Sequence, residues 1–404
     1  MPNILVEGRE RVGMEDIGAQ AERASKILER VRKVMLAPNV RKESPKFSPL
    51  QLGSLVNLDT RQVDYRVKKE SNGLPPGSLN SAGTRREFAL SEVRQWCREL
   101  RSSRMRPEGA EAIAIAVANF KGGVAKTTTA MTVAQGLSIR GHKVLVIDCD
   151  PQGSLTTLFG ILPDAEVDAN ETILPLCIGD EMSVEYAIRS TYWDGIDLIP
   201  ATSALFSAEF TLPSRQKDAA ALGQQFQFWN VLHYGLENAR QVYDAIIIDT
   251  PPALSYVTIN ALMAADGIIT PLPPNALDFA SSVQFWNLFH EVAGSLGKHG
   301  KPKLYEFVDV VLSKVDSSDV ATNVVREWIS AAYGSKVLPI EIPKTSTAAT
   351  ASAEFGSIYD LKPGSVSSRT IKRAVDAYEQ FVDTVEGQMV GAWLRQTVES
   401  EAPQ

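Results

Sequence analysis

The segment Ala118-Asn119-Phe120-Lys121-Gly122-Gly123-Val124-Ala125-Lys126-Thr127-Thr128-Thr129 constrains the fold of this chain more than any other stretch. An apolar run, 112–118, leads into it, and a helical pattern follows. Strand, glycine-rich turn and helix, in that order, make the setting of a phosphate-binding loop. Glycine lets backbone N–H groups turn inward around a phosphate, and the positive end of the following helix adds to their pull. On this reading Gly122, Gly123, Val124, Ala125, Lys126, Thr127 and Thr128 line the loop. Lys126 bridges the β- and γ-phosphates of a nucleoside triphosphate, and Thr127 offers its hydroxyl to Mg2+. A glycine turn with chance lysines would not come framed by a strand and a helix.

Around this loop, apolar runs recur at 112–118, 143–149, 244–249, 267–273, 305–313 and 337–341, separated by helical stretches. Each run is nearly continuous, as a parallel strand covered on both faces should be. The expected fold is therefore α/β, a doubly wound, mostly parallel sheet of the P-loop NTPase kind. Helical segments at 346–355 and 367–396 follow the last strand. At 404 residues the chain exceeds one ordinary domain. It has no run of eighteen apolar residues and no secretory leader pattern, so a cytoplasmic location and no membrane partner are expected. Cys97, Cys149 and Cys177 are far apart and form no CxxC pair, which argues against a disulfide framework, a structural zinc or an iron–sulfur cluster.

Charge divides the chain in two. Residues 1–110 carry 21 Lys and Arg against 14 Asp and Glu, about +7, and the remainder 20 against 34, about −14. A basic head on an acidic body suggests that the head meets a polyanion. Residues 15–37 form an amphipathic helix whose apolar positions, from Ile17 to Met35, recur every three or four residues until Pro38. That stripe needs a cover, and a second copy of the chain is the expected one. Ser48-Pro49 starts a short helix ending near Val56, and a turn at 57–59 leads to a second helix, Thr60–Glu70. A Gly/Pro stretch and a basic loop then precede a third helix, Ser91 to about Arg104. This is the layout of a winged helix-turn-helix. Its second helix would present Arg61, Gln62, Tyr65, Arg66, Lys68 and Lys69 to the major groove, and the wing would bring Arg85 and Arg86 to the backbone. The expected boundaries are 1–38 for a dimerisation helix, 39–107 for the winged domain and 108–404 for the phosphate-binding domain, with 105–111 as linker.

Three motifs, KGGVAKTTT, DCDPQGS after the strand at 143–149, and YDAIIIDTPP at 243–252, occur in the order seen in the deviant Walker A ATPases. Over about 111–404 the chain resembles the ParA-type DNA-partition ATPases within that group. The resemblance implies ATP, ADP and Mg2+ as ligands. Lys121 resembles the signature lysine that reaches the partner's phosphates across an ATP-bound dimer, and it joins Lys126 and Asp150 as the catalytic set. Asp150 matches the carboxylate that positions the attacking water. Asp148 lies near the metal, and Asp249 matches the aspartate that holds Mg2+ through water. Ala125 departs from the glycine usual in the family. Lys314 and Asp316, in Leu312-Ser313-Lys314-Val315-Asp316, superficially resemble a guanine-reading motif. The family instead implies adenine, packed by this loop and the one near Pro343.

The same resemblance implies a homodimer that binds nonspecific DNA in the ATP state, a ParB-type partner that triggers hydrolysis, nucleoid association, and repression of its own operon through the N-terminal domain. Arg369, Lys372 and Arg373 are candidates for the nonspecific surface. Asp376, Glu379, Asp383 and Glu386 on the same helix argue against a MinD-like membrane helix. The missing cluster cysteines exclude an iron protein of the nitrogenase kind. A nucleotide-sensing repressor with little hydrolysis is the competing reading.

Overall fold

The computed structural model describes residues 12–35, 42–69, 73–296, 302–316, 318–344, 357–360 and 368–401. Met1–Lys42 and Glu43–Gln404 are separate units. In the first, the heptad-like spacing of Ile17, Ala21, Ala24 and Ile27 yields one helix, α1 (Met14–Met35), with Glu15 and Asp16 at its positive end. Ile17 and Ile27 are exposed. Pro38 lies outside the described residues.

The second unit opens with β1 (Lys46–Phe47), α2 (Pro49–Leu55), α3 (Thr60–Lys68), β2 (Ser78–Leu79), β3 (Arg86–Ala89) and α4 (Leu90–Leu100). Ser48, the expected cap, and Asp59, read from the sequence as a turn residue, cap α2 and α3 through reciprocal bonds with Gln51 and Gln62. The strands form a small antiparallel sheet in the order β1-β3-β2. Leu52, Val63, Phe88, Val93 and Trp96 are its core. The second helix ends at Lys68, ahead of the expected Glu70, which lies outside the described residues. The third helix stops at Leu100 and gives way to a 3-10 turn, Ser102–Arg104.

The remainder is one eight-stranded sheet flanked by helices. In chain order it comprises β4 (Ile113–Val117), α5 (Lys126–Ile139), β5 (Val144–Asp148), α6 (Ser154–Leu158), α7 (Leu174–Ile178), β6 (Arg189–Ser190), β7 (Ile196–Ile199), α8 (Ala208–Ala221), α9 (Val231–Gly235), α10 (Glu237–Val242), β8 (Ala245–Asp249), α11 (Tyr256–Ala264), β9 (Gly267–Leu272), α12 (Ala276–Leu296), β10 (Phe307–Val315), α13 (Val320–Tyr333), β11 (Val337–Pro343) and α14 (Ser368–Glu401). The order across the sheet is β11-β10-β9-β4-β8-β5-β7-β6, parallel except for β6. Strand β7 escapes the sequence reading because Ile196-Asp197-Leu198-Ile199 is short and interrupted by a carboxylate; Asp197 accepts the Tyr243 hydroxyl at 2.8 Å. The expected helix at 346–355 lies outside the described residues.

Helix α5 runs through the middle of this unit and is buried nearly all round. Gly136 permits α14 to pack against it, since a Cβ there would sit 2.6 Å from Val382. Residues 105–111 are not a free tether. The Arg106 guanidinium donates to Asp244, to the Ala110 and Arg240 carbonyls and to the Gln241 carbonyl, at 2.8–3.3 Å.

That clamp belongs to a larger one. Arg94 pairs with Asp194 at 2.6 Å, Arg98 with Asp244 at 3.6 Å, and Arg101 with Glu386 at 2.6 Å. Glu386 is fully buried and also meets His142 at 2.9 Å and Arg104 at 3.3 Å. Arg94, Arg98, Arg101, Arg104 and Arg106 are thus spent on the chain's own body. Among the described residues, α3 and the β2–β3 turn keep exposed cations for a polyanion, as does α1 with Arg23 and Arg30.

Candidate nucleotide site and basic surfaces

Strands β4, β8 and β5 lie side by side in register, pairing Val117 with Asp249 and Asp249 with Asp148. Two carboxylates therefore end adjacent strands beside the loop that leaves β4, as the spacing in the sequence predicts. The loop turns by two left-handed residues, Gly123 (φ 77°) and Ala125 (φ 79°). Gly123 has open space around its Cα, so the torsion and not crowding favours glycine there. Ala125 adopts the same torsion with a Cβ, at a cost of about 1 kcal/mol. This is the physical content of its departure from glycine.

Lys126 begins α5. Its ammonium is buried and donates to the Lys121 carbonyl at 3.0 Å. Burial lowers its pKa, and the Asp249 and Asp150 carboxylates oppose that. Thr127 follows on the same turn, near enough to Asp249 to ease that group's proton affinity. Asp249 itself is fully buried, and neither carboxylate oxygen has a properly formed hydrogen bond. Its pKa is pushed well above the carboxylate range by burial and then by Asp148. An orphaned buried carboxylate next to a threonine hydroxyl fits a hydrated divalent cation. No group of three or more His, Cys, Asp or Glu among the described residues could hold a metal alone. The phosphates would have to complete its shell.

Asp148 is differently employed. Its oxygens accept from the Thr156 N–H at 2.9 Å, the Thr156 hydroxyl at 2.7 Å and the Asp150 N–H at 3.1 Å. Burial, ahead of every other influence, raises its pKa to about 6. With these three bonds Asp148 holds the 149–156 loop in place. Asp150 is partly exposed, and its Oδ1 accepts the Gln152 N–H at 2.9 Å, a turn that Asp before Pro favours. The Asp150 carboxylate is near enough to the loop to raise the proton affinity of Lys126. Lys121 pairs with Asp278, on the first turn of α12, at 2.6 Å. Sequence reading missed Asp278. The Asn275-x-x-Asp278 spacing signals a helix start, but nothing local signals Lys121 as its partner.

At the other flank, Pro343 is buried at the end of β11 opposite Val315. Lys314 lies in the left-handed region (φ 52°) with its ammonium on the Gly123 carbonyl. Asp316 accepts from Ser318 and stands 3.9 Å from Lys344.

Of the residues expected to meet DNA, Arg61, Gln62, Tyr65, Lys68 and Lys69 are exposed along α3, and Arg66 partly so. Gln62 spends its carbonyl oxygen on the Asp59 N–H at 2.8 Å, leaving its NH2 free to donate. Lys69 lies over the Tyr65 ring, 5.7 Å from the centroid. Arg85 is exposed in the turn between β2 and β3, whereas Arg86 is tied back to the Pro76 carbonyl. Lys372 and Arg373 are exposed at the start of α14. Arg369 lies on the same helix, with its side chain outside the described set. No described helix is long and apolar enough to cross a membrane.

Residues 112–300 match a family model described as an AAA domain. The chain is 33% identical to the chromosome partitioning protein ParA of Caulobacter vibrioides over 66% of its own length and 94% of that protein's. Among solved structures, one titled Partition Protein superposes over 93% of this chain and 98% of its own, with a TM-score of 0.62 at 21% identity, a likeness of fold. Cobyrinic acid a,c-diamide synthase from Mycobacterium smegmatis, solved with an ATP analog and magnesium, covers 68% of this chain and 94% of its own, with a TM-score of 0.53 and 28% identity. With a third of its residues identical across nearly the whole length of that partitioning protein, the chain belongs to the ParA family of partition ATPases.

Proposed function

We propose that this chain hydrolyses Mg-ATP to switch between a DNA-bound dimer and a released form, and so moves or positions a DNA cargo. The observation that carries the reading is the pairing of a phosphate loop with a buried, unpartnered Asp249 and a second lysine, Lys121, beside it. Mg2+, when bound with the nucleotide, would neutralise charge on the β- and γ-phosphates. Thr127 and Asp249 would hold that ion, the latter through water. Lys126 would steady the β- and γ-oxygens, Asp150 would orient the attacking water, and Lys121 of one subunit would stabilise charge at the other's phosphates.

Residues 39–107 would form a winged helix-turn-helix that binds an operator and represses the chain's own operon. The capped α2 and α3, the β2–β3 hairpin and the exposed cations of α3 support this. The helix of 1–38 would serve dimerisation, and 108–404 would be the ATPase domain. The ATP dimer would also hold bulk DNA, with Arg369, Lys372 and Arg373 as candidates, and a ParB-type protein would trigger turnover. A cytoplasmic, nucleoid-associated location follows from these partners.

Light scattering with and without ATP and Mg2+, together with DNA retention, tests the reading. Lys126→Ala should abolish nucleotide binding, while Asp150→Ala should leave a long-lived ATP dimer. A wild-type protein that neither pairs nor changes its hold on DNA with ATP would sink it. A nucleotide-sensing repressor with little turnover is favoured by one observation, the commitment of Asp150 Oδ1 to Gln152. Stimulation of turnover by DNA and the ParB-type partner separates the two.

A further inference from the structure

Two backbone carbonyls of the phosphate loop are held by strand β10. The Ser313 hydroxyl, buried, donates to the Val124 carbonyl at 3.0 Å, and the Lys314 ammonium donates to the Gly123 carbonyl. The α5 ladder cannot supply these bonds, because it begins one residue later, with the Thr129 N–H on the Ala125 carbonyl. Lys314 reaches its acceptor from a left-handed backbone that a lysine seldom adopts. The end of β10 is itself braced, with Lys344 N–H donating to the Val315 carbonyl at 2.9 Å and Pro343 paired to Val315.

From this geometry we infer that Ser313 and Lys314 form a clamp that sets the direction of the loop's amides, making Lys314 a positioning residue for the phosphates. A peptide unit is planar and trans, so its N–H points opposite to its C=O. Fixing the Gly123 and Val124 carbonyls towards β10 therefore turns the Val124 and Ala125 N–H groups away from β10, into the turn the loop makes ahead of α5. Those are donors a phosphate would use. Without the clamp, the alternation of left-handed Gly123 and Ala125 with Val124 would have less to hold it. The inference rests on the nucleotide reading above, but it concerns the phosphate end of the ligand and not the base.

Calorimetric titration of the full chain with inorganic pyrophosphate, ADP and ATP, in Mg2+, tests it, alongside steady-state hydrolysis. Lys314→Met, which keeps length and loses the donors, should weaken all three ligands by a similar factor, about tenfold for one charge-assisted hydrogen bond. KM should rise and kcat stay within about twofold, because the clamp acts on ground and transition state alike. Lys314→Arg should recover most of the loss, and the thermal midpoint of the nucleotide-free Met variant should match the parent. Unchanged pyrophosphate affinity with weakened nucleotides would overturn the clamp and place Lys314 against the base. Unchanged binding of all three, or a fall in kcat alone, would also overturn it. Parallel pyrophosphate and nucleotide losses in a chain that binds but does not hydrolyse ATP would uphold the clamp while sinking the ATPase reading.

Discussion

The Lys121 ammonium lies 2.6 Å from Oδ1 of Asp278, a carboxylate nine-tenths buried on the first turn of α12. On the proposed reading Lys121 serves the phosphates of a second subunit, yet here it is held by its own chain. The pair must part before Lys121 can cross, and parting costs more for a buried acid than for an exposed one. Asp278→Asn should therefore pair at lower ATP concentration than the parent, read by light scattering at fixed protein concentration. An unchanged ATP midpoint would make the contact merely structural.

Ala125 holds a left-handed torsion that glycine adopts freely. Ala125→Gly should relieve about 1 kcal/mol of strain, partly offset by the greater freedom of the unfolded chain. The thermal midpoint should rise by about 1–2 °C. A lower midpoint would show that the loop is not strained.

Asp309 on β10 is buried, with one oxygen unpartnered, and burial raises its pKa to about 6 despite a bond from Gln388. Below about pH 3 it is protonated whether the chain is folded or not, and its burial carries no charge penalty. As pH rises from about 4 to 6 the unfolded chain ionises first, so stability falls, by up to about 3 kcal/mol. Asp309→Asn should match the parent near pH 3 and exceed it at pH 7 in urea titrations. Equal stability at both would contradict this.

Glu386 runs the other way. Burial alone would raise its pKa, but the bonds and charges of His142 and Arg101 outweigh it and draw the value down to about 2. Its stabilisation is complete above about pH 4.5 and is lost as pH falls towards 2. Glu386→Ala leaves Arg101 and His142 facing a vacant site and should cost about 3–5 kcal/mol at pH 7. Limited proteolysis between 43 and 111 should quicken in the same variant.

The basic residues of the head divide by what they face. Lys68→Ala and Lys69→Ala, on exposed α3, should each reduce the slope of log binding constant against log salt for operator DNA by about 1. Arg94→Ala should not, because that guanidinium faces Asp194 and the His142 carbonyl. A change of slope with Arg94 would reverse the division.

The loop, the strand runs and the aspartates at their ends were legible because each is a local pattern. An apolar run, a glycine turn and a helix start lie within the fifteen residues 112–126, and Asp148 and Asp249 fall at strand ends that parallel pairing must bring level. The cap at Ser48 was legible for the same reason, whereas Asp59 read as part of a turn. Strand β7 was not, being four residues with a carboxylate among them. The charge of the head was legible as a sum but not as a distribution. Arg94, Arg101 and Arg106 count towards that sum, and only the fold shows that they face Asp194, Glu386 and Asp244.

The linear chain determined the kind of sheet, the glycine–lysine loop proposed to bind phosphate and the order of its parts, since backbone torsion preferences and hydrophobic period act over neighbouring residues. Packing alone decided which charges are spent. Lys121 on Asp278, Lys314 on Gly123 and Arg101 on Glu386 join residues separated by 157, 191 and 285 positions. A side chain's partner at that distance depends on how helices and strands are stacked, which no local pattern encodes.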